Sequence, residues 1–297
     1  MSKVITFYGV RGSVPSPITA ADVERKVRSI LQRSRETQVD DDSLINLIKE
    51  EAPLTFGGNT SCVEIESDGR IFVLDMGTGL RTLGNKLFQR MMAEKGLFVD
   101  FFVSHVHWDH IQGLPFFGPL YMNKETGINN HWRFYGGTNW QETAQVCLAG
   151  QMDPPTFPVS WAEIIAMTAE MTFWSFYDRF NLVPYVGGPK IIARKLNHPQ
   201  ETYGMRFEFP DGKIVAYTTD NEPHDPTFPD PPLIVLAKDA DVWITDCQYT
   251  RGQYNGNIGG VPRHGWGHSY PEAVATRHLN PPIRTMTFLS PLNIFSF

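Results

Sequence analysis

Two periods run along this chain. Some stretches alternate apolar and polar residues in steps of two, as a half-buried strand does. Others repeat their apolar residues every three or four positions, as a helix does. Val4 to Tyr8 is a β-prone run that stops at Gly9. Thr19-Ala-Ala-Asp22 then has the form of a capping box. It opens a charged segment, roughly Ala20 to Arg35, in which Val23, Val27, Ile30 and Leu31 fall on a helical period. A second, shorter helical pattern covers about Leu44 to Glu51. Both are polar on most faces. Residues 18–52 therefore read as a helical insertion lying over the main body, either a solvated hairpin or a lid.

From Thr55 onward strands dominate. Ser61 to Glu66 alternates, and Ile71 to Leu74 is an apolar run that ends in Asp75. Helical spacing follows from Leu80 to Met92, after a Gly77-Thr-Gly79 turn, and Leu97 to Val103 reads as a buried strand. Pro and Gly punctuate Gly113 to Pro119 and Met152 to Pro158, so the middle is expected to be loops with short helices. Ile191 to Leu196, Tyr203 to Phe209, Lys213 to Thr218 and Asp241 to Asp246 are further strands. Ser269-Tyr-Pro271-Glu272 again has capping-box form and predicts a helix through His278. Strand groups separated by helices predict sheet layers with helices outside, in one domain over residues 1–297. No internal repeat is evident, although two half-domains of similar layout can share such a fold.

Composition narrows the class. The chain has 297 residues, 41% of them apolar, which is enough for a sizeable core, and a net charge of −6 gives no general attraction to polyanions. Cys62, Cys147 and Cys247 are far apart and odd in number, poor material for a disulfide framework and a fit to a reducing cytosol. Neither a signal peptide nor a run of about 18 apolar residues is seen, so a cytoplasmic protein without a membrane partner is expected.

Chemistry concentrates in His105-Val-His107-Trp-Asp109-His110. Two histidines one residue apart at a strand end point the same way, and Asp109 and His110 turn back toward the same point. Imidazole and carboxylate together suit zinc, iron or manganese. The alternative is a chance surface cluster, which four ligand-type residues directly after a buried strand disfavour. Ser104 and Trp108 are read as packing or support. A dinucleotide fingerprint is excluded at Gly77-Thr-Gly79, because position 82 is Thr82.

The cluster matches the His-x-His-x-Asp-His motif of the metallo-β-lactamase superfamily, and the chain resembles its phosphodiesterase branch. The likeness also takes in Arg11-Gly12-Ser13, Gly57-Gly58-Asn59-Thr60-Ser61, Leu74-Asp75-Met-Gly77-Thr-Gly79, Met152-Asp-Pro-Pro-Thr-Phe-Pro158, Thr218-Thr219-Asp220, Thr245-Asp246-Cys-Gln-Tyr249 and Gly267-His268-Ser269. It implies an αββα sandwich, with residues 18–52 as an addition to the pattern. It further implies His198 as a ligand after a strand and Asp220 as a bridge between two metals. His105, His107, His198 and Asp220 would then hold one divalent ion, zinc first, with manganese or iron as alternatives. Asp109, His110 and Asp220 would hold the other.

The branch usually supplies one more histidine in a C-terminal strand, where this chain reads Thr287-Phe288-Leu289-Ser290-Pro291. The second site is therefore expected to be incomplete, with water or His264 filling the gap. Asp75 and Asp246 are expected to orient ligating imidazoles. His268 is the expected proton donor to the leaving alkoxide. It directly precedes the expected helix start, whose N–H groups favour phosphate. His264 is expected to support it or touch substrate.

The function implied is phosphodiester hydrolysis by metal-activated hydroxide at neutral pH, with Asp109 and His268 as the catalytic side chains. A small 3′,5′-cyclic nucleotide is the favoured substrate. The aromatic-rich middle, with Trp132, Phe134, Tyr135 and Trp140, could stack its base, although core packing is the commoner use. Alternatives are a tRNA 3′-end-processing endoribonuclease, for which no basic arm is found, and a catalytically weakened metal-binding signalling module. Lactam or thioester hydrolysis ranks lower. Relatives are often dimers, which leaves a homodimer open.

Overall fold

The computed structural model describes residues 3–51, 58–176, 181–182, 184–225, 230–275 and 285–289. Among them, twelve strands form two six-stranded sheets, and each sheet keeps its strands in chain order. The first holds β1 (Lys3–Gly9), β2 (Cys62–Ser67), β3 (Arg70–Leu74), β4 (Phe98–Phe102), β5 (His131–Gly136) and β6 (Glu170–Ser175). Its pairing is antiparallel up to β3 and parallel from β3 to β6. The second holds β7 (Asn181–Leu182), β8 (Lys190–Lys195), β9 (Tyr203–Glu208), β10 (Ile214–Thr218), β11 (Val242–Asp246) and β12 (Thr285–Leu289). It is antiparallel up to β10 and parallel beyond. The two halves thus share a layout: a meander first, then parallel strands.

Side-chain parity explains the layers. Phe72, Leu74, Phe102 and Tyr135 point from the first sheet to Tyr203, Met205, Phe207, Val215, Tyr217 and Ile244 of the second. Their neighbours Ile71, Val73, Val99, Phe101, Trp132 and Phe134 point the other way. They pack with Leu80, Leu83, Leu87 and Met91 of a long helix. That helix is the third in the chain, after α1 (Ala20–Thr37) and α2 (Asp41–Glu51), so α3 spans Gly79–Glu94. Four short helices, α4 (Trp108–Ile111), α5 (Trp140–Ala144), α6 (Trp161–Met167) and α7 (Pro231–Ala237), precede the last two, α8 (Arg251–Tyr254) and α9 (Pro271–Ala275). Ala237 of α7 and Val274 of α9 cover Ala216 and Trp243 on the outer face of the second sheet. Helices flank two stacked sheets, which is the αββα order implied by the resemblance.

The middle of the chain departs from expectation. The middle, marked by Pro and Gly at Gly113 to Pro119 and Met152 to Pro158, was expected to be loops with short helices, and β5 and β6 run through it as parallel strands. β5 does alternate, with His131 and Arg133 half-buried and Trp132 and Phe134 buried, but its six residues sit in a stretch marked by Pro and Gly and read with it as loop. Trp132, Phe134, Tyr135 and Trp140 are buried in the core. Core packing, the commoner use of such residues, is the one observed, and it leaves no exposed face to stack a base.

At the N-terminal side, Thr19 and Asp22 do form the reciprocal capping box of α1, and α1 packs on α2. No residue of α1 is buried. At the C-terminal side, α9 begins at Pro271 and the Ser269 hydroxyl has no hydrogen-bond partner, so the expected capping box there does not form. The expected continuation to His278, Gly57, Ser290, Pro291 and the closing Leu292–Phe297 lie outside the described residues.

Candidate metal centre

Most candidate side chains leave the C-terminal end of a strand, while His264 and His268 sit in the loop between α8 and α9. Asp75 follows β3, and His105 to His110 follow β4. His198 follows β8, Asp220 follows β10, and Asp246 closes β11. Asp75 and Asp220 sit at φ 61° and 42°, a left-handed conformation that few residues other than glycine adopt. Such strain is of order 1–3 kcal/mol per residue and concentrates at functional sites. Here it turns each carboxylate back over its own strand end. The 75–77 loop clasps the histidine segment: Met76 donates its N–H to the His110 carbonyl at 2.7 Å, and Gly113 donates to the Met76 carbonyl at 2.8 Å. Only glycine fits at position 77, where a Cβ would lie 2.4 Å from the Asp109 carbonyl oxygen.

One group forms a ligand set. His105, His107, His198 and Asp220 each offer a donor atom, and these atoms all lie within 4.8 Å of one another. His105 Nε2 is 3.5 Å from Asp220 Oδ2, and His198 Nε2 is 3.1 Å from His107 Nδ1. His198 fixes its ring by setting Nδ1 3.0 Å from the Gly267 carbonyl, while Ser104 Oγ sits 3.0 Å from His105 Nδ1. Those contacts leave Nε2 of both rings for another partner, which is how ligating histidines are oriented. His105 Nε2 is buried and has no hydrogen-bond partner. A buried nitrogen aimed at a carboxylate, with no hydrogen-bond partner, fits a cation.

A second group is centred on His110. Its Nδ1 lies 2.8 Å from Asp75 Oδ2, and its Nε2 lies 3.4 Å from both Asp109 Oδ2 and Asp220 Oδ1. Three carboxylates around one buried imidazole are an excess of negative charge. Asp75 is held by the Ser104 N–H at 2.8 Å and by the Tyr217 hydroxyl at 2.6 Å. Asp109 accepts the Ser13 N–H at 2.7 Å. Phe288 lies on β12 beside Thr245 of β11.

The electrostatics match this division. Burial, with His110 close by, holds His105 well below the usual histidine range, so its ring stays neutral and able to ligate. At His110 burial opposes charge, but Asp220 and Asp75 outweigh it and hold the ring well above that range. At Asp220 burial is likewise overcome, by His110 and His268, and the carboxyl stays well below its ordinary value. Burial also opposes charge on His268, yet Asp220 and Asp246 lift it to about 9.

His268 stands beside this cluster, its Nε2 4.0 Å from Asp220 Oδ2 and its Nδ1 3.3 Å from Asp246 Oδ2. Asp246 also accepts the Ser269 N–H at 2.8 Å. That corrects the expected phosphate cradle, because this amide is taken by Asp246 and no helix starts there. His264 is corrected as well. Its ring packs on Tyr254 and its Nε2 faces Asn255 Oδ1 at 3.3 Å, so it fills no gap in the ligand set. Trp108, read as packing or support, is 71% exposed, since His107 and Asp109 turn inward on either side of it.

Glu222 was missed by sequence reasoning. It is buried and accepts the N–H groups of Gly265 and Gly267 and the Tyr254 hydroxyl, at 2.8, 2.8 and 2.7 Å. It thereby fixes the loop that carries His268 and the carbonyl that holds His198. Its place two residues after Asp220 was the available signal. Arg11 and Gln248, also passed over, line the cleft with His110, Asp220 and Asp246.

The family model described as beta-lactamase superfamily domain matches residues 70–288. The chain belongs to that superfamily. Helices α1 and α2 lie outside the matched stretch. No curated protein matches the sequence. Among solved structures, the zinc-bound PqqB of Methylobacterium extorquens is similar with a TM-score of 0.57 at 15% identity, over 99% of this chain and 91% of that one. A diphosphatase of the PhnP family gives 0.56 at 17%, over 97% and 86%. The short form of human tRNase Z gives 0.52 at 16%, over 93% and 87%. At these identities the shared property is the metallo-β-lactamase fold.

Proposed function

We propose that this chain is a metal-dependent hydrolase of small phosphodiesters, with a 3′,5′-cyclic nucleotide as the favoured substrate. The carrying observation is the convergence of His105, His107, His198 and Asp220 on one point, with a buried imidazole nitrogen that has nothing else to bind. A divalent ion there, zinc first, would supply Lewis acidity and a nucleophile from water at neutral pH. A second ion would draw on Asp109, His110 and Asp220, with a weaker donor set for want of a histidine at position 288. Two ions against two ligating carboxylates leave a positive centre, which selects an anionic substrate. A diphosphatase and a tRNase Z among the structures of like fold agree with phosphate chemistry.

The chain's own residues have separate tasks in this reading. Asp75 and Ser104 orient the imidazoles of His110 and His105. Asp109 and Asp220 balance the charge of the cations. His268, kept protonated beside Asp220 and Asp246, gives its proton to the leaving oxygen. Residues 1–297 act as one domain in the cytoplasm, with 18–52 as an insertion. No helix among the described residues is long and apolar enough to cross a membrane.

Elemental analysis of purified protein, followed by assays on bis(p-nitrophenyl) phosphate and a panel of cyclic nucleotides, tests the proposal. Bound zinc with turnover of both substrate types is expected. Carboxylic-ester hydrolysis without any phosphodiester hydrolysis would sink it.

A further inference from the structure

The buried aromatic residues of β5 cannot meet a substrate, but two other indoles can. Trp108 is 71% exposed and follows His107, while Trp266 is 51% exposed and precedes the buried pair Gly267 and His268. His198 touches the residue next to each. One of its nitrogens is 3.1 Å from His107 and the other 3.0 Å from the Gly267 carbonyl. Each indole is thus the chain neighbour of a residue that touches one candidate ligand. The Trp266 side is held rigidly. Gly267 has φ 83°, and a Cβ there would lie 2.0 Å from His198 Nδ1. Glu222 fastens the same loop through two amides.

Arg263 completes the arrangement. Its guanidinium lies 4.7 Å from the Trp266 ring centre and 5.8 Å from that of Tyr249. The Tyr249 ring in turn meets His268 edge-on at 5.7 Å. Burial and then Asp246 push the Tyr249 phenol up to about 12, against the pull of Arg263, so this cation and the cluster's carboxylates act on one phenol. Among the described residues no carboxylate pairs with Arg263. A stacked guanidinium without an acidic partner is ready for an anionic group, and an exposed indole beside it offers a face for a planar ring.

We propose that Trp266 and Arg263 form the recognition surface for the planar portion of a phosphodiester substrate, a nucleobase in the favoured case, with Arg263 binding an anionic oxygen of the same molecule. The proposal rests on the phosphodiesterase reading and names what distinguishes its substrates. A ring-bearing substrate gains stacking that a ring-free one does not, an effect of roughly tenfold per stacked base.

The test compares cyclic nucleotides with 1,3-propanediol cyclic phosphate, which has the same six-membered cyclic ester and no base. In Trp266→Ala and Arg263→Ala, KM for the cyclic nucleotide should rise about tenfold with kcat changed less than about threefold. Trp266→Phe keeps a stacking face and should recover most of the affinity. Unchanged KM in both alanine variants, at wild-type metal content and unfolding temperature, would overturn the proposal. So would equal losses for Phe and Ala at position 266. Calorimetric titration with a non-hydrolysable cyclic phosphorothioate separates this inference from the one beneath it. If the wild type turns over no phosphodiester, the hydrolase reading fails. Recognition then stands if the analogue binds and Arg263→Ala weakens it about tenfold, and falls if the wild type does not bind it.

Discussion

The two sides of the cluster are built differently although they share Asp220. His105, His107 and His198 form a closed set with Asp220, and two of these rings are already oriented by Ser104 and the Gly267 carbonyl. The side around His110 has more negative charge and fewer nitrogens, with Asp75, Asp109 and Asp220 gathered on one imidazole. Phe288 of β12 pairs with Thr245, one residue before Asp246. Ligand number and charge are thus traded differently within one cleft. On the proposed reading the first side would bind the tighter ion and the second a looser one.

The largest effect should come from breaking the closed side. His107→Ala is expected to lower phosphodiester turnover by more than about 100-fold and to empty that site, because even outer partners of ligands are worth 10–100-fold. Retained turnover would refute the ligand set. Asp75→Asn removes the charge and leaves one acceptor oxygen for the groups that donate to Asp75, which loosens His110 and should cost about 10–100-fold in activity, with a weaker second ion in metal titrations. Phe288→His reverses the deficit: metal per chain should move from near one toward two, with a several-fold gain in turnover. A wild type already carrying two equally tight ions would erase the contrast. Glu222→Gln leaves at least one buried N–H facing another donor. It should lower unfolding stability by about 1–3 kcal/mol in denaturant titrations and reduce turnover through the His268 loop. Thr19→Ala gives the smallest change. It removes the cap of α1 at about 1 kcal/mol of local helix stability, visible in amide exchange, with turnover unaltered.

How much of this was legible depended on where information is written. The histidine cluster declares itself because four ligand-type residues crowd into six positions. Asp220 and His198 are single residues at strand ends, recognisable through the resemblance. The strands β8 to β11 could be read within a residue or two, since apolar runs bounded by turn residues mark them. β5 could not, although it alternates, because its six residues lie among Pro- and Gly-marked loop segments. Glu222 looks like any other acidic residue among 32 until its amide partners are seen. The capping pattern at Ser269 was legible but misleading: tertiary contacts gave its N–H to Asp246 and began the helix later. Exposure is the least legible property. Trp108 and Trp132 are the same residue type, one in solvent and one sealed in the core.

The donors of the closed side come from both sheets. His105 and His107 leave β4 of the first, while His198 and Asp220 leave β8 and β10 of the second. His107 and His198 are 91 positions apart in the chain. A cation held among them is therefore a rivet between the two halves of the sandwich. Its binding energy enters the docking of one sheet on the other, so that metal loading and folding become one equilibrium. The order of synthesis then matters. A growing chain that has not yet reached residue 220 has its histidines but lacks the carboxylate that joins the halves, and it acquires the means to lock itself only when the second sheet is being made.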